Sequence, residues 1–141
     1  MLAQDGRDCV MACERLCHDF GWHVDHRNHA EFLDLFADDS IFERGAQASQ
    51  GRAEIERFLI ERPADMVTRH LSVGVRIDPR SAETASGTCH CLVFRTSAEP
   101  GAAYPLATPP LRVVEYHDEY VRTASGWRFK HRRVSHVFAQ A

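Results

Sequence analysis

At 141 residues, the chain has the length of one domain built around one core, expected here to span residues 1–141. Its 44% hydrophobic and 26% charged content are ordinary for a globular protein, and a formal charge of −3 excludes a broad electrostatic pull toward nucleic acid or anionic membrane. No apolar run is long enough to cross a bilayer, and the amino terminus lacks the apolar stretch of a signal peptide, so a cytoplasmic location is expected.

The first segment with a helical period runs from about Asp8 to Arg27. Val10, Cys13, Leu16, Cys17, Phe20 and Val24 form its apolar stripe, and Asp8 is its expected cap. Cys9, Cys13 and Cys17 recur every fourth residue and therefore share a face. Five cysteines are an odd number, which argues against a disulfide framework. A helical stripe of thiols also lacks the paired, short-loop spacing of a zinc site, so these cysteines read as small core residues and no metal is expected.

A second helix, His29 to Phe36, follows a cap at Asn28, with Phe32, Leu33, Leu35 and Phe36 turned inward. Asp38-Asp39 ends it, and Ser40-Ile-Phe-Glu43 reads as a short strand. Gln50-Gly51 opens a third helix, Arg52 to about Glu61, closed by Pro63.

Beyond Pro63 the period of the pattern falls to two. From Met66 to Asp78, Val67, Leu71, Val73, Val75 and Ile77 face one way and Met66, Thr68, His70, Ser72 and Gly74 the other. Further strands are expected over Thr84–Thr96, Leu111–Arg122 and Trp127–Phe138, with Ser97–Pro110 a loop rich in Pro, Ala and Gly. The basic run Arg128-Phe-Lys-His-Arg-Arg133 alternates with Trp127, Phe129 and Val134, so it reads as a solvated strand face rather than a phosphate site. Helices first and hairpin-linked strands afterwards make the chain α+β, with the helices on one side of an antiparallel sheet. Long strands with a polar set on one face imply a strongly curved sheet, its concave side roofed by the first helix over a pocket.

Two residues stand out against that pattern. Asp25 lies late in the first helix, in Trp22-His-Val-Asp25-His-Arg27, and His70 lies within the first long strand. A strand histidine and a carboxylate on the covering helix are the parts of a general base and its orienting partner. The plainer alternatives are a hydrogen-bonded strand histidine and a helix-end aspartate bonding nearby backbone.

The order of the segments resembles the NTF2-like superfamily, and within it the SnoaL-like branch of scytalone dehydratase and the hexachlorocyclohexane dehydrochlorinase. The resemblance rests on Val24-Asp25-His-Arg with Phe32-Leu-Asp-Leu-Phe-Ala-Asp-Asp39, on Gln50-Gly51-Arg-Ala-Glu-Ile55, and on Thr68-Arg-His70. It continues through Tyr116-His-Asp-Glu-Tyr120 and Gly126-Trp127-Arg-Phe129. It implies a cone-shaped fold and a catalytic pair in which Asp25 holds His70 as the base. Arg122 falls near the place of an arginine in the dehydrochlorinase, and His90 matches a second histidine of the dehydratase. Trp22, Tyr116 and Phe42 are expected at the pocket wall. Arg122 can instead pair with Glu119, and Trp22 and Tyr116 can instead be core aromatics.

The departures narrow what is implied. Val24 and Phe42 stand where the dehydratase has tyrosines, and neither can donate a hydrogen bond. Val114 and Tyr116 stand where it has serine and asparagine. The implied activity is that of a lyase or isomerase, without cofactor or metal, acting on a small apolar, cyclic or aromatic substrate as a homotrimer or homodimer. Two alternatives stay open. One is a non-catalytic assembly protein like the β subunits of ring-hydroxylating dioxygenases, and the other is a ligand-binding or polyketide-cyclase-like protein.

Overall fold

The first helix is made by its buried stripe. In the computed structural model, which describes residues 4–139, α1 (Gln4–His26) buries Cys9, Cys13, Leu16, Cys17, Phe20, Gly21 and Val24. The cysteines thus face the core, and all five of the chain are free thiols. Asp8 is not the cap: it lies inside the helix and accepts a side-chain hydrogen bond from Gln4 at 2.9 Å. Residues 1–3, part of the segment read as lacking a leader, lie outside the described residues. α1 ends where Arg27 turns left-handed at φ 57, with Asn28 N–H reaching back to His23 O at 3.0 Å.

The second helix is shorter than its apolar residues suggest. α2 covers only His29–Leu33, and Phe36 already opens β1 (Phe36–Arg44). The sheet captures the chain there, since Phe129 N–H donates to Leu35 O at 2.8 Å. β2 (Gln47–Gln50) pairs antiparallel with β1 and had no signal in the sequence, because Gln-Ala-Ser-Gln carries no apolar alternation. Next come α3 (Arg52–Ile60), β3 (Met66–Pro79), β4 (Thr84–Ser97), β5 (Leu111–Thr123) and β6 (Gly126–Phe138). They complete a mixed α+β fold with one six-stranded sheet in the order β2-β1-β6-β5-β4-β3. β1 runs parallel to β6, and every other neighbouring pair is antiparallel. Among the described residues no helix is long and apolar enough to cross a membrane.

Two one-residue irregularities alter what simple alternation implies. In β3 the register slips between Val73 and Arg76, beside Gly74 at φ 57. A bulge of this kind needs a residue tolerant of positive φ, and it reverses the facing of all that follows. Val67, Leu71 and Val73 therefore lie on the outer face, whereas Val75 and Ile77 pack against the core.

In β6 the register slips between His131 and Phe129, leaving Lys130 as the extra residue. Phe129 and Arg132, three apart, consequently both point inward, and both are fully buried. The basic run is therefore not a solvated face throughout. Arg132 donates to Asp118 from Nε at 2.9 Å and from Nη2 at 3.2 Å. Its guanidinium also lies against the rings of Tyr116, Phe20 and Phe129 at 3.7, 4.3 and 4.4 Å. Burial alone would lower its pKa, but the Asp118 carboxylate, together with Cys17 and Tyr116, raises it on balance and keeps the group charged.

Candidate active site

β3 is an edge strand, so one side of its backbone has no strand partner. The end of α1 covers that edge. Asp25 Oδ2 accepts the backbone N–H of His70 at 2.7 Å, satisfying a donor the sheet leaves free. The same carboxylate meets the His70 ring, with Oδ1 at 2.6 Å from Nδ1, and it accepts the Thr68 hydroxyl at 2.8 Å. Arg62 Nη2 in turn donates to Thr68 at 3.2 Å. Both side chains of the pair are largely withdrawn from solvent, Asp25 at 4% exposure and His70 at 11%.

The approach is close because Gly21 faces β3. A Cβ there would lie 3.0 Å from the His70 Cβ and 3.1 Å from its carbonyl oxygen. Asp25 is one turn further along the same side of α1. Arg27 adds a second tie, its Nη2 donating to Pro63 O at 2.7 Å and Met66 O at 2.9 Å.

His70 opens onto a cavity of about 410 Å³. Phe20, Val24, Phe42, Phe58, Val93 and Val114 supply its apolar wall, and Tyr116 lines it beside them. Phe20 stands edge-on to both His70 and Tyr116, with centroids 6.5 and 5.4 Å away. Burial pushes the Tyr116 phenol up, so it keeps its proton and can donate. Since Nδ1 is engaged with Asp25, Nε2 is the ring nitrogen of His70 left to meet a bound molecule.

Of the residues expected at the site, Asp25, His70, Tyr116 and Phe42 come together here. The other three do not. Trp22 is 60% exposed and stacks on His26, because two residues along a helix from buried Phe20 is an outward direction. His90 points to the outer face, as its neighbours Cys89 and Cys91 take the inner one, and it pairs with Glu115 at 3.0 Å. Arg122 lies on the expected strand but at its far end, beside the hairpin residue Trp127. Arg112, ten residues earlier on β5, lines the cavity instead. Ten residues of strand amount to about 33 Å.

The cavity also holds three arginines that gave no sequence signal, Arg44, Arg62 and Arg95, beside the Thr68 hydroxyl. They come from β1, the loop after α3, β4 and β3, and no spacing in the chain links them.

Comparison with solved structures returns the same architecture. A candidate scytalone dehydratase from Novosphingobium aromaticivorans superposes with a TM-score of 0.77 at 21% identity, over 92% of this chain and 84% of that one. A type 2 hexachlorocyclohexane dehydrochlorinase gives 0.80 at 20% identity, over 95% and 88%. A candidate aromatic ring hydroxylase from Novosphingobium aromaticivorans gives 0.80 at 18% identity, over 96% and 93%. Identities this low establish the shared fold alone, and no protein of curated function matches the sequence. The family model for the SnoaL-like domain matches residues 10–133, and the chain belongs to that family.

Proposed function

We propose that the protein is a cofactor-independent lyase or isomerase that abstracts a proton from carbon, with His70 as base and Asp25 as its positioning partner. The observation that carries this reading is the 2.6 Å contact between Asp25 Oδ1 and His70 Nδ1, with His70 on the cavity wall. The backbone N–H of His70 accounts for Oδ2 of Asp25, whereas Oδ1 meets the imidazole ring itself. A base that must present Nε2 in a fixed tautomer needs such a partner at Nδ1.

In the proposed step, His70 Nε2 takes a proton from a carbon next to an activating group. The Nδ1–H bond to Asp25 stabilises the imidazolium that forms. The electron pair left on carbon becomes the new double bond, either expelling a leaving group from the adjacent carbon or moving into a conjugated carbonyl. The Tyr116 hydroxyl donates to the oxygen on which negative charge develops. Return of the His70 proton to the departing group, or to a distant carbon, completes elimination or isomerisation.

A panel of hydroxylated, halogenated and unsaturated cyclic compounds, assayed with wild type, His70→Ala and Asp25→Asn, tests the proposal. Each variant is expected to lose about 10²–10⁴-fold in rate on any compound the wild type turns over. Equal turnover by His70→Ala and wild type removes His70 from the mechanism.

A further inference from the structure

The cavity is apolar within and cationic around its lining. Arg44, Arg62, Arg95 and Arg112 all contribute to it, whereas Glu61 is its one carboxylate among the described residues. Composition does not account for this, because the chain as a whole carries −3. Among the described residues none of the four guanidinium groups has a carboxylate within 4.0 Å, although arginines elsewhere do, at Asp19, Asp34 and Asp118. Glu61 acts on Arg44 and Asp25 on Arg62 from beyond that distance, yet four like charges round one cavity still repel one another, and a bound anion would relieve that.

Two of the four are also held in place. Arg44 lies over the rings of Phe42 and Phe58, 4.8 and 4.3 Å from their centroids, at the border between the apolar wall and the charge. Arg62 is fixed by its bond to Thr68, and its Nε is buried without a partner. Burial pulls the Arg62 pKa down, and the neighbouring Arg27 and Arg95 pull it further, against a smaller opposing pull from Asp25. A bound anion would offset both effects.

The register also sets a length. His70 pairs with Val93, which pairs with Arg112, so base and guanidinium share one row of the sheet. Two strand spacings put their Cα atoms about 10 Å apart. Arg95 sits opposite Thr68, one step along that row's edge.

We infer that the cavity takes an amphipathic organic anion, its apolar body on the phenylalanine wall and its carboxylate among Arg44, Arg62, Arg95 and Arg112. This deepens the proposed function by naming the substrate class. It rests on the cavity being the substrate site, and not on His70 being the base. A planar carboxylate suits guanidinium groups because each can donate two parallel hydrogen bonds. A small apolar substrate without a carboxylate, as the family resemblance allows, would leave this positive charge without an anion.

The test is calorimetric titration with 2-naphthoate and its neutral counterpart 2-naphthamide. Wild type is expected to bind the acid at least about tenfold more tightly than the amide. That advantage should shrink as salt rises, since the rim is partly open to solvent. It should shrink in the double variant Arg95→Gln/Arg112→Gln to the share that Arg44 and Arg62 supply. Should that variant fail to fold, the salt series on wild type and the single variant Arg44→Gln decide the matter in the same way. Equal affinity for acid and amide, an acid advantage untouched by both salt and charge removal, or no binding of the acid at millimolar concentration overturns the inference. His70→Asn separates it from the catalytic reading. If that variant turns over substrate normally while the acid preference stands, the base assignment falls and the anion site survives. A His70-dependent turnover with no acid preference gives the reverse.

Discussion

Asp25 accepts three hydrogen bonds, from the Thr68 hydroxyl, the His70 backbone and the His70 ring. Its direction is therefore set by β3 rather than by its own rotamer freedom, and Thr68 is the member that can be removed most cleanly. Thr68→Val keeps the shape and deletes the hydroxyl, leaving Asp25 one donor short and Arg62 without its acceptor. We expect kcat/KM on a substrate of the wild type to fall about tenfold, roughly 1.4 kcal/mol of transition-state stabilisation. Stability in urea should fall by about 1 kcal/mol. A loss confined to stability would mean that Asp25 needs no third donor. At this scale the sequence was informative only where a residue type was itself the signal. A histidine on the polar face of a strand and an aspartate at a helix end could be picked out. Thr68 and Arg62 look like any polar strand and loop residues until the fold brings them to Asp25. Arg122 and Arg112 share a strand and differ only in position along it, which a period of two cannot distinguish.

α1 and β3 carry the site between them, and Gly21 sets their spacing. Gly21→Ala would gain up to about 1 kcal/mol in helix propensity. Against that stands the overpacking of a methyl group 3.0 Å from the His70 Cβ, typically costing about 1–3 kcal/mol. The clash should win, because the backbone of β3 cannot rotate away as a flexible side chain could. We expect a net loss of stability in urea of about 1–2 kcal/mol. The rate on any wild-type substrate should fall by more than that loss accounts for, since lifting α1 parts Asp25 from His70. Elements of this kind were largely legible: α1, α3 and the four long strands follow from apolar period and turn residues. Phe32, Leu33, Leu35 and Phe36 suit either a helix face or a strand entry, and the pairing of Leu35 with Phe129 decides between them. Arg132 was read as solvated because alternation assigns Phe129 and Arg132 to opposite faces, and the extra residue Lys130 is invisible to that rule.

Across the whole molecule the charge divides into two arrangements of opposite character. The Arg132–Asp118 pair is sealed in the core with both side chains at 0% exposure, whereas the cavity arginines face a space and, among the described residues, have no carboxylate within 4.0 Å. Breaking the sealed pair from one side leaves a buried charge uncompensated. Asp118→Asn should lower stability by about 3–5 kcal/mol in chemical denaturation. The double variant Arg132→Met/Asp118→Leu should recover most of that, with Tyr120 keeping Cys17 as its hydrogen-bond partner at 3.1 Å. Failure of the double variant to recover would show that the pair contributes more than mutual neutralisation, for instance by seating Tyr116 at the cavity.

The Gly74 bulge has a further consequence. Gly74 is not among the residues lining the cavity, yet it is where β3 changes the face it presents. A bulge bends its strand and sharpens the local twist, so the depth of the concave side depends on where that extra residue falls. The dimensions available to a guest are thus written partly in a backbone irregularity that no guest touches. Moving the irregularity by two positions would retune the chamber while leaving every wall residue chemically as it was.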